Sequence, residues 1–375
     1  MNLTITNYQP LFLPLTAFII GILLQTKIQA NSSVLAFTII LELIILIKMK
    51  KQLPQINEKH LLFHVLYIFA TSGALIYQYQ QNNFLTKTEK IRNCNRFTAE
   101  VISKDFIINS NYKQKTVLRI LEDSTGECKN FKIVYYSKNK NFLQIGDIVK
   151  IKNVKPQIPK QKGKTPNRPP SFFEYLIREN IQATLFPSKA MKIQIIQRPT
   201  ISITRAIWNK RNTIFQNLQH KLPPRAFCFF SSIFLGNKNV PLITEIKEEF
   251  NRWGVSHYLA RSGLHISSII SIWKILLNNI PINFIFKSTF LILVILLYTI
   301  LSWGSLSFYR SLLIFLLLEI GLILKKQTSP LHIFLLITFL TLCHNPILLF
   351  FLDFQLSFGI TAILFLTNFA NKQQI

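Results

Sequence analysis

Two histidines and an arginine recur at helical spacing in the segment SHYLARSGLHI, residues 256–266. In a helix, His257, Arg261 and His265 are four residues apart and therefore lie on one stripe. A charged side chain at membrane depth costs about 2.5–3.5 kcal/mol on insertion scales, so it usually faces a partner or a hydrated cavity. Two interpretations stay open: a polar contact between helices, or one wall of a hydrated path. The candidate residues of this segment are Ser256, His257, Arg261, Ser262, Gly263 and His265.

Further polar residues interrupt apolar segments nearer the carboxyl terminus. Arg310 lies in SLSFYRSLL, and Asp353, Gln355 and Ser357 interrupt LLFFLDFQLSFGI. Together with the first stripe, these side chains could line one cavity. The alternative is a set of separate hydrogen bonds between helices, each worth about 1 kcal/mol or less.

The pair Ser262 and His265 raises a catalytic alternative. At i and i+3 the two side chains are neighbours on a helix, as in an intramembrane hydrolase. The chain lacks a Gly-x-Ser-x-Gly elbow, and no orienting acid stands close to the pair in sequence. It also lacks a Walker motif and a dinucleotide fingerprint. We therefore predict no enzyme activity and no cofactor, and keep the hydrolase as the alternative.

Basic and aromatic residues alternate in the middle of the chain. The net charge is +27, and most of this excess lies between Asn82 and Arg225. Clustered Lys and Arg bind phosphates, and aromatic rings add stacking to single-stranded bases. The plainer interpretation is that the aromatic residues pack the core of a domain and the lysine side chains face the solvent. The predicted DNA-binding residues are Lys104, Lys113, Lys115, Lys129, Lys132, Tyr135, Lys138 and Lys140.

Four cysteines show no Cys-x-x-Cys spacing, so the sequence predicts no metal site. Cys94 and Cys128 both lie in the basic segment, near the starts of predicted strands. An extracytoplasmic compartment permits disulfides. A disulfide between them and two free thiols are equally compatible with the sequence.

Long apolar segments predict a polytopic membrane protein. The chain has 375 residues, of which 49% are hydrophobic, and a helix needs about 20 mostly apolar residues to span the hydrocarbon layer. The segment 254–270 is the candidate motif helix. The other predicted spans are 8–25, 34–47, 60–79, 284–303, 306–324, 331–343 and 347–369.

Basic loops predict the orientation. Short Lys- and Arg-rich loops stay on the cytoplasmic side, whereas long domains cross largely regardless of charge. KMKKQ, residues 48–52, places the N-terminus in the cytoplasm and the basic segment outside. Lys287, the Lys325–Lys326 pair and Lys372 then also fall on the cytoplasmic side.

The basic segment has the pattern of β structure. Alternating or β-branched runs at 95–103, 114–122, 128–137 and 145–153 are separated by turn residues. A run at 181–186 supplies a fifth strand, which predicts a small OB-like barrel. The predicted domains are N-terminal transmembrane helices at 1–81, an extracytoplasmic OB-like β domain at 82–199, an amphipathic interfacial helix at 200–225 and a partial transmembrane core at 226–375.

These residues resemble the ComEC family, whose members form the inner-membrane channel for DNA uptake in natural competence. The segment FLGNK…IKEEFNRWGVSHYLARSGLHISSI is similar to the family signature. LSFYRSLL and NPILLFFLDFQLSFGITAILF resemble two further family segments, and IGDIVKI with PNRPPSFFEYLIRENIQATLF resembles the family's OB-like domain. The resemblance implies transport of single-stranded DNA across the bacterial plasma membrane during transformation.

The chain also departs from the family pattern. Arg261 stands where the family usually has an apolar residue, Asn345 replaces the usual aspartate, and Ser311 replaces the usual alanine. Full-length members often continue with more spans and a metallo-β-lactamase-like domain, whereas this sequence has no His-x-His-x-Asp-His run. The resemblance therefore implies a truncated member, with single-stranded DNA and the bilayer as partners. A separate chain supplying the missing parts and other competence proteins are further expected partners, and a scaffold remnant of a split gene is the other alternative.

Overall fold

The computed structural model describes residues 10–51, 58–106, 112–138, 143–158, 172–199, 202–237, 239–255, 259, 263–326 and 328–373. Helices form the majority, and one mixed sheet lies between residues 96 and 197. The chain divides into two compact units, one of Met1–Asn83 with Leu313–Ile375 and one of Phe84–Leu312.

The first three helices in the described residues agree with the first three predicted spans in position. They are α1 (Phe12–Ile28), α2 (Ser32–Lys51) and α3 (Glu58–Ile91). The third helix runs twelve residues beyond the predicted end at 79. The polar stretch that follows Tyr79 contains neither glycine nor proline, so nothing in it stops the helix.

Small residues let α1 and α3 meet at their backbones in the first unit. A Cβ on Gly21 would overlap the carbonyl oxygen of Ala70, and a Cβ on Gly73 would overlap that of Phe18. Close crossings of this kind are typical of helices packed by small residues in membranes. A second contact joins α2 to α3, where Nδ1 of His64 lies 2.6 Å from Oε2 of Glu42.

The sheet contains six strands in the order β5-β3-β2-β1-β4-β6. Their bounds are β1 (Arg96–Phe106), β2 (Gln114–Asp123), β3 (Lys132–Ser137), β4 (Ile148–Lys152), β5 (Ala183–Leu185) and β6 (Lys192–Gln197). The short helix α4 (Phe172–Arg178) precedes β5. All five predicted strands are present, whereas β6 was not predicted. β3 and β5 are parallel, and the other pairs are antiparallel.

The sheet is open in the described residues, so the predicted OB-like barrel is not observed. β5 is three residues long and pairs with β3, while β4 pairs with β6 instead of β5. The core of the sheet nevertheless follows the predicted alternation. Phe97, Ala99 and Val101 of β1 point to the same fully buried cluster as Leu118 of β2 and Ile133 of β3.

Asp147 joins the next helix, α5 (Ile203–Lys221), to the sheet. Its side chain is completely buried and accepts a hydrogen bond from Arg205 Nη2 at 2.7 Å and one from Arg198 Nη2 at 3.2 Å. Arg205 also donates from Nε to the carbonyl oxygen of Ile145 at 2.7 Å. The amphipathic helix predicted at 200–225 is thus anchored on the sheet by its first turns, where Trp208 packs against the sheet core.

The remaining helices are α6 (Pro224–Phe229) with a π-helical turn (Phe230–Leu235), α7 (Ile243–Arg252), α8 (Gly263–Asn278), α9 (Phe284–Leu301), α10 (Leu306–Ile323) and α11 (Pro330–His344). Of these, α9, α10 and α11 coincide with the predicted spans 284–303, 306–324 and 331–343. The predicted last span is broken into a 3₁₀ turn (Pro346–Phe350), α12 (Leu352–Phe354), a second π-helical turn (Gln355–Gly359) and α13 (Ile360–Gln373). Phe351 has extended backbone angles, which accounts for the first break.

Two of these helices, α9 and α10, are long and apolar enough to cross a membrane. Of their residues, 17% and 28% respectively are buried within the protein. The core helix of a soluble protein would be mostly buried. The described residues also contain five shorter apolar helices of 10–17 residues, and four of them overlap predicted spans.

Candidate nucleic-acid interface and motif segment

The predicted DNA-binding lysines separate into two groups along the sheet. Lys113 and Lys115 lie at the start of β2, near Lys138 at the end of β3. Lys132 pairs with Arg119, four positions further along the β2–β3 ladder from the Lys115–Tyr136 pair. Four residues of strand span about 13 Å. Lys129 precedes β3 and belongs to the second end, and Lys140 lies outside the described residues.

Lys104 corrects one prediction, because its side chain is 2% exposed and not available to a phosphate. Its Nζ lies 4.9 Å from the ring centroid of Trp208 and 5.2 Å from that of Phe106. A register shift between Val101 and Ser103 in the β1–β2 ladder reverses the inward face of β1. A bulge of this kind re-aims the side chains beyond it, and Lys104 consequently points inward.

Tyr135 is a second correction, because the structure places it in the core and 5% exposed. Its neighbour Tyr136 faces the opposite side of β3. There the Tyr136 ring stacks on Phe186 with centroids 5.1 Å apart and planes 7° apart. Tyr112 contacts both rings at 5.7 and 5.4 Å. We call Tyr112, Tyr136 and Phe186 the ring cluster.

Lys115 lies beside the ring cluster. It pairs with Tyr136 across the β2–β3 ladder, and its Nζ donates to the Tyr175 hydroxyl at 2.7 Å. The half-buried rings and this ammonium form a surface with a cation next to stacked aromatic faces. Phe186 and Tyr175 were missed as site residues. The period of two along β3 favoured Tyr136 and Tyr135 equally, and only the packing distinguishes them.

The stability of the protein should depend on pH through Lys104. Burial lowers the pKa of this ammonium to about 8, and the Asp147 carboxylate partly opposes the shift. In the unfolded chain the pKa is about 10.4, so the folded state disfavours the proton. The resulting loss of folding stability is fully present below pH 8 and disappears as the pH rises toward the pKa of the unfolded chain.

We therefore expect the wild type to gain stability relative to Lys104→Met between about pH 7 and pH 9.5. The melting temperatures of the two full chains in detergent, measured at both pH values, test this. A difference in melting temperature that stays constant with pH would contradict it.

Cys94 and Cys128 lie close together, and both are free thiols in this structure. With Asp123 they form a group whose sulfur and carboxylate oxygen atoms lie within 4.8 Å of one another. Such a group could hold a metal ion, although the sequence spacing predicted none. Burial raises the pKa of both thiols, which disfavours the thiolate that ligates metals. The disulfide and the absence of a metal stay predictions.

The motif segment is described in part. Ser256, His257, Arg261 and Ser262 lie outside the described residues, so the stripe and the hydrolase pair stay predictions. Gly263 begins α8, and His265 is half-buried, with its ring centroid 6.5 Å from that of Phe234.

Gly263 brings the motif against α10. A Cβ at this position would overlap Oγ of Ser311 and lie 3.4 Å from Nη2 of Arg310. Arg310 is 9% exposed, and the Ser311 hydroxyl donates to the carbonyl oxygen of Ser307 at 3.1 Å. The structure therefore joins two of the predicted motif elements, which are separated by more than 40 residues in sequence.

The QLSF segment forms the second π-helical turn, in the first unit. The exposed Gln355 donates to the carbonyl oxygen of Leu349 at 3.0 Å, and the exposed Asp353 accepts from the backbone N–H of Phe354. Oγ of Ser357 is buried and has no hydrogen-bond partner in the described part of the chain. π-Helical turns occur frequently at functional sites.

Comparison with known proteins identifies the part of the chain that contains these motifs. No curated protein and no solved structure matches the chain. Residues 233–374 match the family model described as Competence protein, and the sheet lies outside the matched residues. The matched residues make up less than half of the chain and are consistent with the ComEC/Rec2 family of competence proteins, a similarity that indicates a role in DNA uptake during competence.

Proposed function

We propose that the chain is a multi-pass channel component that moves single-stranded DNA across the plasma membrane during natural transformation. The match of residues 233–374 to the competence family carries this proposal. The exposed apolar surfaces of α9 and α10 support residence in the bilayer. The basic loops favour a cytoplasmic N-terminus and an extracytoplasmic sheet.

The sheet captures the strand in this proposal. Stacking of a base on an aromatic side chain contributes about 1–3 kcal/mol and tolerates any sequence. The ring cluster offers such faces, and Lys115 and the exposed Lys113 and Lys138 supply charge for the phosphates. The open sheet thereby serves the capture step without closing into a barrel.

The motif segment shapes the path of the strand. Gly263 sets the distance between α8 and α10, and Arg310 lies at that contact. In this proposal the Arg310 guanidinium supplies a positive charge beside the path, which attracts the phosphates of the passing DNA strand. The protein itself carries out no bond-making chemistry in this proposal. Asp353, Gln355 and Ser357 are the further residues assigned to the path.

Binding of oligothymidylate by the purified full chain in detergent tests the capture step. We expect Tyr136→Ala to weaken binding by about 5- to 150-fold, equivalent to 1–3 kcal/mol for one lost stacking contact. Lys115→Gln should reduce the slope of log affinity against log salt by about 0.7, the value for one phosphate contact to a single strand.

Lys192→Gln is the matched control, because it removes an exposed charge from the edge strand β6. It should leave the Tyr136-dependent binding intact. Wild-type affinity in Tyr136→Ala together with an unchanged salt slope in Lys115→Gln would show that this face does not capture DNA.

A further inference from the structure

A cavity of about 260 Å³ lies between α5, the first π-helical turn and the end of α9. Its walls are almost entirely apolar. Ile214, Leu218, Phe230, Phe234 and Leu301 are among the residues that line it. The stacked rings of Phe230 and Phe234, with centroids 5.4 Å apart, form the wall that the π-helical turn contributes.

Arg211 is the one charged residue among those that line this cavity in the described part of the chain. Its guanidinium carbon lies 4.2 Å from the ring centroid of Trp303. Its Nε is buried and has no hydrogen-bond partner among the described residues. An unsatisfied buried donor destabilises the folded protein, so a ligand that accepts a hydrogen bond from Nε would relieve this cost.

The position of the cavity connects it with the membrane surface. Tyr298 and Trp303 lie at the end of the candidate span α9. Tyr and Trp are enriched where a span meets the headgroup layer. The helix α5 contains no acidic residue, and Arg205, Lys210 and Lys221 accompany Arg211 on it. Basic residues close to an anionic membrane surface are attracted to it.

The residues that line the cavity favour an acyl chain over a nucleobase as its occupant. A nucleobase would bury its polar edges against apolar side chains, and the Tyr298 hydroxyl already donates to the Phe234 carbonyl oxygen. An acyl chain has no polar groups that would lose hydrogen bonds on entering the cavity. The cavity is also slightly smaller than the roughly 300–1,000 Å³ of pockets for drug-sized ligands, which favours a single chain.

We propose that this cavity binds one acyl chain of an anionic phospholipid, whose phosphate accepts a hydrogen bond from Arg211. The bound lipid fixes α5, and with it the sheet, at the end of α9. The inference rests on the membrane residence proposed above and goes beyond DNA transport.

Lipid retention by the full chain tests this inference without DNA. The chain is purified in detergent, incubated with phosphatidylglycerol or phosphatidylcholine, and analysed by native mass spectrometry. We expect wild type to retain one phosphatidylglycerol and at least tenfold less phosphatidylcholine. Arg211→Gln should lose at least tenfold in phosphatidylglycerol, and Ile214→Phe, which fills the cavity, should lose both lipids.

Lys210→Gln is the matched control, because it removes an exposed neighbouring charge on the same helix. It should retain lipid like wild type, and circular dichroism should show equal helix content in all variants. Equal retention by wild type and Arg211→Gln would overturn the inference. So would displacement of the lipid by inorganic phosphate, which indicates an anion site alone, or by oligothymidylate, which assigns the cavity to nucleic acid. A wild-type chain that retains no phosphatidylglycerol but supports normal DNA uptake would refute this inference and leave the proposed function standing.

Discussion

Replacement of Asp147 by alanine is expected to lower the free energy of unfolding by about 3–5 kcal/mol, the usual cost of removing one partner of a buried ion pair. Asp147 is fully buried, and Arg205 beside it is 13% exposed at its side chain. Without the carboxylate, Arg205 keeps its desolvation cost and loses its charged acceptor. The first turn of α5 should then separate from the sheet.

Urea unfolding of the full chain in detergent, followed by tryptophan fluorescence, measures this effect. Trp208 reports directly, because it packs between α5 and the sheet core. Glu100→Ala is the matched control, since it removes a carboxylate from an exposed ion pair with Arg119. Exposed pairs contribute about 0–1 kcal/mol. Equal losses in the two variants would show that Asp147 does not anchor α5.

Replacement of Gly263 by leucine is expected to abolish DNA uptake while the protein still reaches the membrane. The side chain would occupy the space of the Ser311 hydroxyl and approach Arg310, so α8 and α10 must move apart. Overpacking of this kind costs about 1–3 kcal/mol, which a large membrane protein can tolerate while the local path is deformed. Uptake of labelled DNA, normalised to the amount of membrane-bound protein, measures the effect.

Substitutions of increasing size at Gly263 separate this steric effect from a general folding defect. Gly263→Ala should be milder than Gly263→Leu, because the Ser311 hydroxyl can rotate away at the expense of its bond to Ser307. Adding Ser311→Ala removes the nearest atom and leaves the Ser311 Cβ at 3.3 Å, so it should partly restore uptake. Gly359→Ala is the control, because nothing lies within 4 Å of its added Cβ. Normal uptake in Gly263→Leu would exclude a role for this contact.

Local pattern predicted the helices and most of the strands. β-Branched alternation placed β1 to β4 within a few residues of their observed bounds. The predicted third span ends at 79 because the apolar sequence ends at Tyr79. The helix α3 continues beyond it because no glycine or proline interrupts the polar residues that follow. The barrel was predicted from five strands. In the structure β4 pairs with β6, which the sequence did not predict, and the sheet stays open.

The site was harder to predict, because side-chain direction depends on features that composition does not show. Lys104 lies among polar neighbours in the sequence and points inward through a bulge in β1. Tyr135 and Tyr136 are indistinguishable by type, and only their packing separates them, because Tyr135 joins the core and Tyr136 stacks on Phe186. The contact of Gly263 with Arg310 and Ser311 joins segments far apart in sequence, so spacing alone could not place them together.

Uptake in cells tests most directly whether this chain carries DNA through the membrane. The gene is deleted in a naturally competent host, and internalised, nuclease-resistant labelled DNA is measured with and without the chain supplied in trans. We expect deletion to abolish uptake, the wild-type chain to restore it and Gly263→Leu not to restore it. Uptake that continues at the original level after deletion would contradict the account.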